Sequence, residues 1–240
     1  MSEIEVQGVS RRYGDVAALS DLSLRVPDGE IVAVVGPSGC GKTTLLELVC
    51  GLQAPDSGTV AGGPATLMPQ RDALLPWLSA LDNAALPLRI KGTGRDAARA
   101  EAAPYFPAFG IEGFERSRPA QLSGGMRQRV AFLRTLLAGT PVLCLDEPFG
   151  ALDALTRLQM QDWLARTLEA QPRTVLLVTH DVEEAAVLAD EIVILAPRPG
   201  RVVARLDVDT PRPRRRTDDA VVQAVAGSLA ALGLEQEARV

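Results

Sequence analysis

A glycine-rich segment around residue 40 carries the most specific chemical signal in this sequence. Residues 36–43 read Gly-Pro-Ser-Gly-Cys-Gly-Lys-Thr, which matches the phosphate-loop pattern GxxxxGK followed by Ser or Thr. In such a loop the glycines let successive backbone N–H groups point at a phosphate, and the following helix adds its positive dipole end. Lys42 would reach the β- and γ-phosphates, and the Thr43 hydroxyl would ligate Mg²⁺. The candidate nucleotide contacts here are Gly36, Pro37, Ser38, Gly39, Cys40, Gly41, Lys42, Thr43 and Thr44.

Two adjacent carboxylates, Asp146 and Glu147, follow the apolar run 142–145. Such a run is typical of a buried parallel strand, and parallel sheets place their ligand crevice beyond the carboxyl ends of the strands. We therefore expect the acid pair beside the phosphate loop, where Asp146 would hold Mg²⁺ and Glu147 would be the general base for the attacking water. The alternative interpretation is a strand that ends at a solvated acidic turn.

Three single residues are further candidates. His180, the only histidine, follows the apolar run 174–179, and its imidazole would hydrogen-bond the γ-phosphate. Gln70 follows the short apolar stretch 66–68, and its amide would touch Mg²⁺ or the attacking water. Tyr13 precedes the phosphate loop, and its ring would stack on adenine. Each of these residue types is also common as a cap, a loop residue or a partly buried strand residue.

A second helix N-terminus suited to an anion is predicted at residues 122–129, which read Leu-Ser-Gly-Gly-Met-Arg-Gln-Arg. Ser123 is a good N-cap, and Gly124 and Gly125 allow close approach to the first backbone N–H groups. The phosphate loop already serves a complete nucleotide, so this second terminus is expected to serve a nucleotide held by another copy of the chain. A plain helix cap is the alternative.

The elements that must position these residues are indicated by short apolar runs and helical patterns. Runs that are apolar on both faces suit a parallel sheet covered by helices on each side. They occur at 31–35, 142–145, 174–179 and 192–195. Helical patterns occur at 182–189 and at 153–170, where Leu155, Leu158, Leu164 and Leu168 are predicted to lie near one face.

The predicted fold class is α/β, with a P-loop NTPase core, a parallel sheet and flanking helices. The period-two alternation of the first 30 residues predicts an antiparallel β layer before that core. Segment 72–138, rich in Ala, Leu and Arg, predicts an inserted α-helical sub-lobe. The expected organisation over residues 1–240 is a core at 1–71 and 139–210, the sub-lobe at 72–138, and a C-terminal extension at 211–240.

Composition narrows the class of protein. Hydrophobic residues make up 47% and charged residues 23%, and the formal net charge is −5, which disfavours non-specific nucleic-acid binding. The three cysteines lack CxxC spacing, so neither a zinc site nor a disulfide framework is expected. Neither a secretory signal nor an apolar run long enough for a membrane span is found, which predicts a reduced, cytosolic protein. The Arg-rich stretch 198–216 is expected to be a solvated, flexible connection, with anionic lipid headgroups as the alternative contact.

The order of these motifs resembles that of ABC transporter ATP-binding subunits over nearly the whole chain. In sequence order the matching positions are the phosphate loop, Gln70, Leu122-Ser123-Gly124-Gly125, Asp146-Glu147, Ala151-Leu152-Asp153 and His180. The resemblance implies a head-to-tail pair of these domains closing on two ATP molecules, each between one copy's phosphate loop and the other copy's Ser123–Gly125. It places Asp153 in the loop that signals between the copies. It also implies integral-membrane permease subunits and an external solute-binding protein as partners.

Local features are similar to the importer branch for nitrate, sulfonates and taurine. They are Leu74-Leu75-Pro76-Trp77, Pro197-Arg198-Pro199-Gly200-Arg201, and Met126 within the Ser-Gly-Gly segment 122–129. A short stretch 59–70 and the pair Phe132-Leu133 depart from that pattern.

The implied role is to energise uptake of small organic or inorganic anions from the cytoplasmic face of the inner membrane. A soluble ABC ATPase and a degenerate nucleotide-binding regulator are the alternatives, and the regulator would lack Lys42, Glu147 or His180. Residues 74–77 are either part of the groove for a permease helix or part of the sub-lobe core.

Overall fold

The computed structural model describes residues 2–233, which form nine strands and nine α-helices. The strands are β1 (Ile4–Tyr13), β2 (Val16–Val26), β3 (Ile31–Val35), β4 (Ser57–Ala61), β5 (Ala65–Met68), β6 (Val142–Asp146), β7 (Thr174–Thr179), β8 (Glu191–Leu195) and β9 (Val202–Asp207). The helices are α1 (Lys42–Val49), α2 (Ala80–Ala84), α3 (Leu86–Ile90), α4 (Arg95–Ala102), α5 (Tyr105–Ala108), α6 (Gly124–Leu137), α7 (Ala154–Ala170), α8 (Val182–Leu188) and α9 (Asp219–Ala231), with a 3₁₀ turn at Pro119–Gln121.

The described chain divides into two compact units. The first contains residues 2–67, 141–147 and 161–233, and the second contains 68–140 and 148–160. The predicted sub-lobe 72–138 falls within the second unit, which also takes in 148–160. Met1 of the predicted core segment and residues 234–240 of the predicted C-terminal extension lie outside the described residues.

A six-stranded sheet forms the centre of the first unit, in the order β5-β6-β7-β3-β8-β9. The pairs β6–β7, β7–β3 and β3–β8 are parallel, and every residue of β3, β6 and β7 is buried. Strands covered on both faces need an apolar side chain at each position, which is why continuous apolar runs identified them. The predicted α/β fold with a parallel core is confirmed.

The N-terminal antiparallel layer has the order β2-β1-β4, and helix α1 packs against it as well as against β6 and β7. Strand β4 was not predicted, because its sequence Ser-Gly-Thr-Val-Ala is short, mostly exposed and has no apolar run. A Cβ on Gly58 would lie 2.4 Å from the carbonyl oxygens of Gln7 and Gly8, so only glycine lets this edge strand approach β1.

The second unit is mainly helical, and α6 packs against α2 and α3. Its core includes three phenylalanine rings in edge-to-face contact, with Phe132 between Phe109 and Phe149 at centroid distances of 6.0 and 5.8 Å. Phe132, which departs from the pattern of the importer branch, is therefore a core residue of this unit.

The interpretation of residues 198–216 as a solvated, flexible connection is wrong. Residues 202–207 form β9, which pairs antiparallel with β8. Further along, Arg214 is buried and donates to the carbonyl oxygen of Val208 at 2.9 Å, and Arg212 forms an ion pair with Asp190 at 2.5 Å. A guanidinium is stable in a buried position when a carboxylate and carbonyls satisfy its donors, so arginine content alone did not indicate exposure.

The predicted common face of α7 is also wrong. Leu164 and Leu168 are buried, whereas Leu155 and Leu158 are 66% and 42% exposed. At 3.6 residues per turn, Leu155 and Leu164 lie about 180° apart around a helix, so the two leucine pairs occupy opposite faces.

Candidate functional site

The phosphate-loop segment connects β3 to α1, as the motif requires. Two of its glycines need a left-handed backbone, with φ of 78° at Gly39 and 99° at Gly41. A Cβ on Gly41 would lie 2.6 Å from Cδ2 of Leu19 and 2.7 Å from the carbonyl oxygen of Ala18. Glycine is thus required both for the turn and for the close approach of β2.

Lys42 begins α1, and its side chain folds back into the loop. The buried Nζ donates to the carbonyl oxygen of Gly36 at 2.7 Å and to that of Pro37 at 3.1 Å. The ammonium group is therefore the positive charge at the centre of the loop, where an entering phosphate would meet it.

Thr43 and Asp146 come together at the carboxyl ends of β3 and β6. The Thr43 hydroxyl donates to Oδ2 of Asp146 at 2.8 Å. Burial raises the pKa of the Asp146 carboxyl; the hydrogen bond from Thr43 opposes that shift, and the neighbouring Glu147 carboxylate adds to it. A hydroxyl and a carboxylate at hydrogen-bond distance form an oxygen-donor pair of the kind that Mg²⁺ prefers.

Glu147 and His180 follow the neighbouring strands β6 and β7. The backbone N–H of Glu147 donates to the carbonyl oxygen of Val178 at 2.8 Å, which extends the strand ladder by one residue. Glu147 then takes a φ of 48°, an uncommon value for a residue with a side chain, and its Oε1 lies 3.1 Å from Nδ1 of His180. Strained backbone of this kind is concentrated at functional sites, where the surroundings hold it in place.

Tyr13 ends β1 and lies near the start of α1. Its hydroxyl donates to Oε1 of Gln53 at 2.8 Å and is 3.5 Å from the hydroxyl oxygen of Thr44. The guanidinium of Arg11 lies 5.2 Å from the ring centroid, and 43% of the residue is exposed. An exposed ring held at its hydroxyl end is suited to stacking on a base. Gln53 and Arg11 could not be predicted as neighbours of Tyr13, because no sequence motif links either residue to it.

The second helix N-terminus lies in the second unit and has the predicted cap. The Ser123 hydroxyl accepts from the backbone N–H of Met126 at 3.2 Å. A Cβ on Gly125 would lie 3.3 Å from Cδ2 of Leu152, so the turn that carries Asp153 packs beside this helix start. Asp153 in turn caps α7, since its Oδ1 accepts from the backbone N–H of Thr156 at 3.0 Å, and that hydrogen bond lowers the pKa of Asp153.

The predicted site residues thus form two groups. The first unit brings together the phosphate loop, Tyr13, Thr44, Asp146, Glu147 and His180. The second unit carries Gln70 just after β5, together with Ser123, Gly124, Gly125 and Asp153.

Within residues 2–233, no group of three or more His, Cys, Asp or Glu residues is arranged to hold a metal ion. No helix in the described part of the chain combines the length and apolar character needed to cross a membrane.

Sequence comparisons show similarity to ATP-binding subunits. The family described as ABC transporter matches residues 19–150. The taurine import ATP-binding protein TauB of Burkholderia pseudomallei (strain 1710b) is 47% identical over 219 residues, which cover 88% of this chain and 84% of TauB. The aliphatic sulfonates import ATP-binding protein SsuB 1 of Rhodococcus jostii (strain RHA1) is 46% identical over 222 residues, which cover 90% and 87%. The formylaminopyrimidine import ATP-binding protein ThiZ of Halalkalibacterium halodurans is 49% identical over 181 residues, which cover 74% and 73%.

Solved structures show the same fold. A dimeric post-hydrolysis structure of the ATP-binding cassette MJ0796, bound to ADP and Pi, superposes with a TM-score of 0.79 at 28% identity. The match covers 86% of this chain and 99% of that one. A second dimeric structure of MJ0796, described as a bacterial ABC transporter cassette, gives a TM-score of 0.79 at 30% identity.

Proposed function

This chain belongs to the ABC transporter family, and on that premise we propose that it binds and hydrolyses ATP to energise an importer of small anions of the taurine, sulfonate or nitrate type. The observation that carries the proposal is the convergence of Lys42, the Thr43–Asp146 pair and the Glu147–His180 pair in the first unit. Five side chains from three separate sequence segments meet there, and each is of the type that phosphoryl transfer to water needs.

The phosphate loop would bind the triphosphate. Backbone N–H groups of residues 36–43 would surround the β-phosphate, and the Lys42 ammonium would offset the charge of the β- and γ-phosphates. The exposed Tyr13 ring would contact adenine. The Thr43 hydroxyl and the Asp146 carboxylate would hold Mg²⁺, with Gln70 as a further candidate. When bound, Mg²⁺ supplies positive charge that stabilises the transferring phosphoryl group.

Glu147 would orient the attacking water and accept its proton. His180 would steer that carboxylate through the contact at Nδ1 and present the other edge of its ring to the γ-phosphate. Because His180 follows β7 and Glu147 follows β6, a shift of either strand end changes the alignment of the base. Hydrolysis would thereby depend on how the strand ends are held around the γ-phosphate.

We propose that a second copy of the chain completes each site. Ser123 caps α6, and the helix begins with Gly124 and Gly125, which have no side chains to block its N-terminus. A helix N-terminus of this kind attracts a phosphate. In the head-to-tail pair, these residues would contact the γ-phosphate of the partner's ATP, and Asp153 would relay the contact through the turn beside Gly125. The dimeric cassettes with the same fold support the pairing of two copies.

The remaining partners would be integral-membrane permease subunits, which hold the chain at the cytoplasmic face of the inner membrane, and indirectly an external solute-binding protein. In the segment 74–77, Leu74 is buried in the sub-lobe, whereas Trp77 is 67% exposed. Trp77 is therefore the residue of this segment that would contact a cytoplasmic helix of the permease.

One experiment tests both the proposed ATP hydrolysis and its coupling to uptake through a permease. The chain is co-expressed with candidate permease subunits, the complex is purified, and ATP turnover and uptake of radiolabelled taurine are measured in proteoliposomes with a candidate solute-binding protein. Uptake that requires ATP and is lost in Glu147→Gln supports the proposal. ATP turnover without any associated permease would instead favour a soluble ABC ATPase.

A further inference from the structure

The turn between β8 and β9 lies against the phosphate loop. The turn comprises residues 196–201 and is closed by the hydrogen bond from the N–H of Ala196 to the carbonyl of Arg201, at 2.9 Å. Gly200 fixes the turn to β2, because its N–H donates to Ala18 at 2.9 Å and its carbonyl accepts from Ser20 at 3.0 Å. Strand β2 also packs against Gly41, so β2 and the turn are two neighbours of the same loop.

The contact between the turn and the phosphate loop is made backbone to backbone. A Cβ on Gly200 would lie 2.0 Å from the carbonyl oxygen of Cys40. Just before the turn, at the end of β8, the carbonyl oxygen of Leu195 lies 3.1 Å from where a Cβ on Gly36 would be. Neither residue has room for a side chain, since the obstacle in each case includes main chain rather than a movable side-chain end. The shape of the loop therefore depends on the position of this turn.

Arg198 makes a side-chain contact from the turn to the tip of the loop. Its Nε donates to the carbonyl oxygen of Gly39 at 3.0 Å, and its Nη2 lies 2.9 Å from where a Cβ on Gly39 would be. In a planar trans peptide the C=O and N–H point in opposite directions. Holding the Gly39 oxygen outward therefore directs the Cys40 N–H inward, where it donates to the carbonyl oxygen of Pro37 at 3.3 Å.

We propose that Arg198 is a positioning residue for the triphosphate: it holds the Gly39–Cys40 peptide so that the tip of the phosphate loop keeps its nucleotide-binding shape. Arg198 acts through the loop and does not itself touch the nucleotide. The inference rests on the proposed role of residues 36–43 as the phosphate cradle. Preorganised donors raise affinity because their ordering cost is met before the ligand arrives.

The test compares Arg198→Ala and Arg198→Lys with the matched control Arg201→Ala, which removes an exposed guanidinium from the same turn. We expect Arg198→Ala to raise the KM for ATP about tenfold and to change kcat by less than about twofold, because the lost contact acts on binding of the triphosphate. Arg198→Lys keeps a donor without the fixed planar geometry, so its KM should fall between those of Arg198→Ala and the wild type. Arg201→Ala should retain the wild-type KM.

Two results would overturn the proposal: a wild-type KM in Arg198→Ala, or an equal rise in KM in Arg198→Ala and Arg201→Ala, which would show a general effect of positive charge. Thermal unfolding of each variant separates a loss of folded protein from a loss of affinity, and the Lys variant provides the measurement if the Ala variant does not fold. A wild-type chain that binds no fluorescent ATP analogue would contradict the proposed function itself, which is a different outcome from either of these.

Discussion

Nδ1 of His180 lies 3.1 Å from Oε1 of Glu147, although the two residues belong to different strand ends. The contact is possible because β6 and β7 are parallel neighbours, so the residues that follow them emerge at the same edge of the sheet. Glu147 is largely shielded, with a side chain 18% exposed, whereas the imidazole of His180 is 64% exposed. In this pair, the carboxylate is therefore shielded from solvent and the imidazole is accessible to it.

Glu147→Gln should stop hydrolysis and leave ATP binding intact. The amide has nearly the same shape and can still hydrogen-bond His180, but it cannot accept a proton from water, so we expect kcat to fall by about 10²–10⁴-fold. ATP should then trap a dimer that size-exclusion chromatography detects. Turnover close to that of the wild type would remove Glu147 from the role of general base.

Lys42→Ala should abolish nucleotide binding, because it removes the buried ammonium group from the centre of the phosphate loop. The chain offers a matched control: its only other lysine, Lys91, hydrogen-bonds the carbonyl of Ala138 in the second unit. Titration with a fluorescent ATP analogue should show loss of binding in Lys42→Ala and wild-type affinity in Lys91→Ala. Normal binding in Lys42→Ala would contradict the assignment of the loop.

Ser123→Arg should eliminate ATP turnover while the chain still binds ATP. The substitution removes the cap of α6 and places a bulky cation where the partner's γ-phosphate would dock, whereas the phosphate loop lies in the other unit. Binding and hydrolysis are measured on the same preparation. An active Ser123→Arg variant would discredit the composite site.

Asp82→Asn should destabilise the second unit by about 2 kcal/mol, because it breaks charged hydrogen bonds to a buried carboxylate. Asp82 is 3% exposed and accepts from Nε and Nη2 of Arg99 at 2.8 and 2.7 Å. These bonds hold the pKa of Asp82 well below its usual range, Arg95 and Ser79 acting in the same direction. Asp96→Asn removes an exposed carboxylate from α4, the helix that carries Arg95 and Arg99, and is the control.

The pH dependence of this contribution has a definite sign. A lowered folded-state pKa means that Asp82 stabilises the fold at pH values above its unfolded pKa of about 3.9, and that the contribution is lost as pH falls below that value. In urea titrations, the difference in unfolding free energy between the wild type and Asp82→Asn should therefore shrink between about pH 5 and pH 2. A difference that is constant over this range would contradict the ion pair.

The main sheet and most of the site could be predicted from the sequence, because their signals are local. The phosphate loop, the acid pair after β6 and the Ser123 cap each occupy a few consecutive residues whose types follow directly from their chemistry. Strands buried on both faces likewise need an apolar residue at each position, as β3, β6 and β7 show.

Features that depend on tertiary contacts could not be predicted. Strand β4 exists because β1 offers an edge, and its own composition does not favour a strand. Arg214 is buried because its N–H groups hydrogen-bond to Asp190 and to backbone carbonyls that are distant in sequence. Gln53 likewise contacts Tyr13 only in the folded chain. The contact between Arg198 and Gly39 joins residues that are far apart in sequence, and no motif marks it.

The central claim is that two copies of the chain share each ATP site, and mixing two inactive variants tests it most directly. Lys42→Ala lacks a working phosphate loop and Ser123→Arg lacks a working α6 terminus, so each homodimer has no complete site. A mixed dimer has one complete site, formed by the loop of the Ser123→Arg copy and the Ser123–Gly125 segment of the Lys42→Ala copy. Equal mixing should restore about a quarter of the wild-type ATPase rate, since about half of the dimers are mixed and each has one of two sites. A mixture that stays inactive, although cross-linking shows the mixed dimers to be present, would contradict the account.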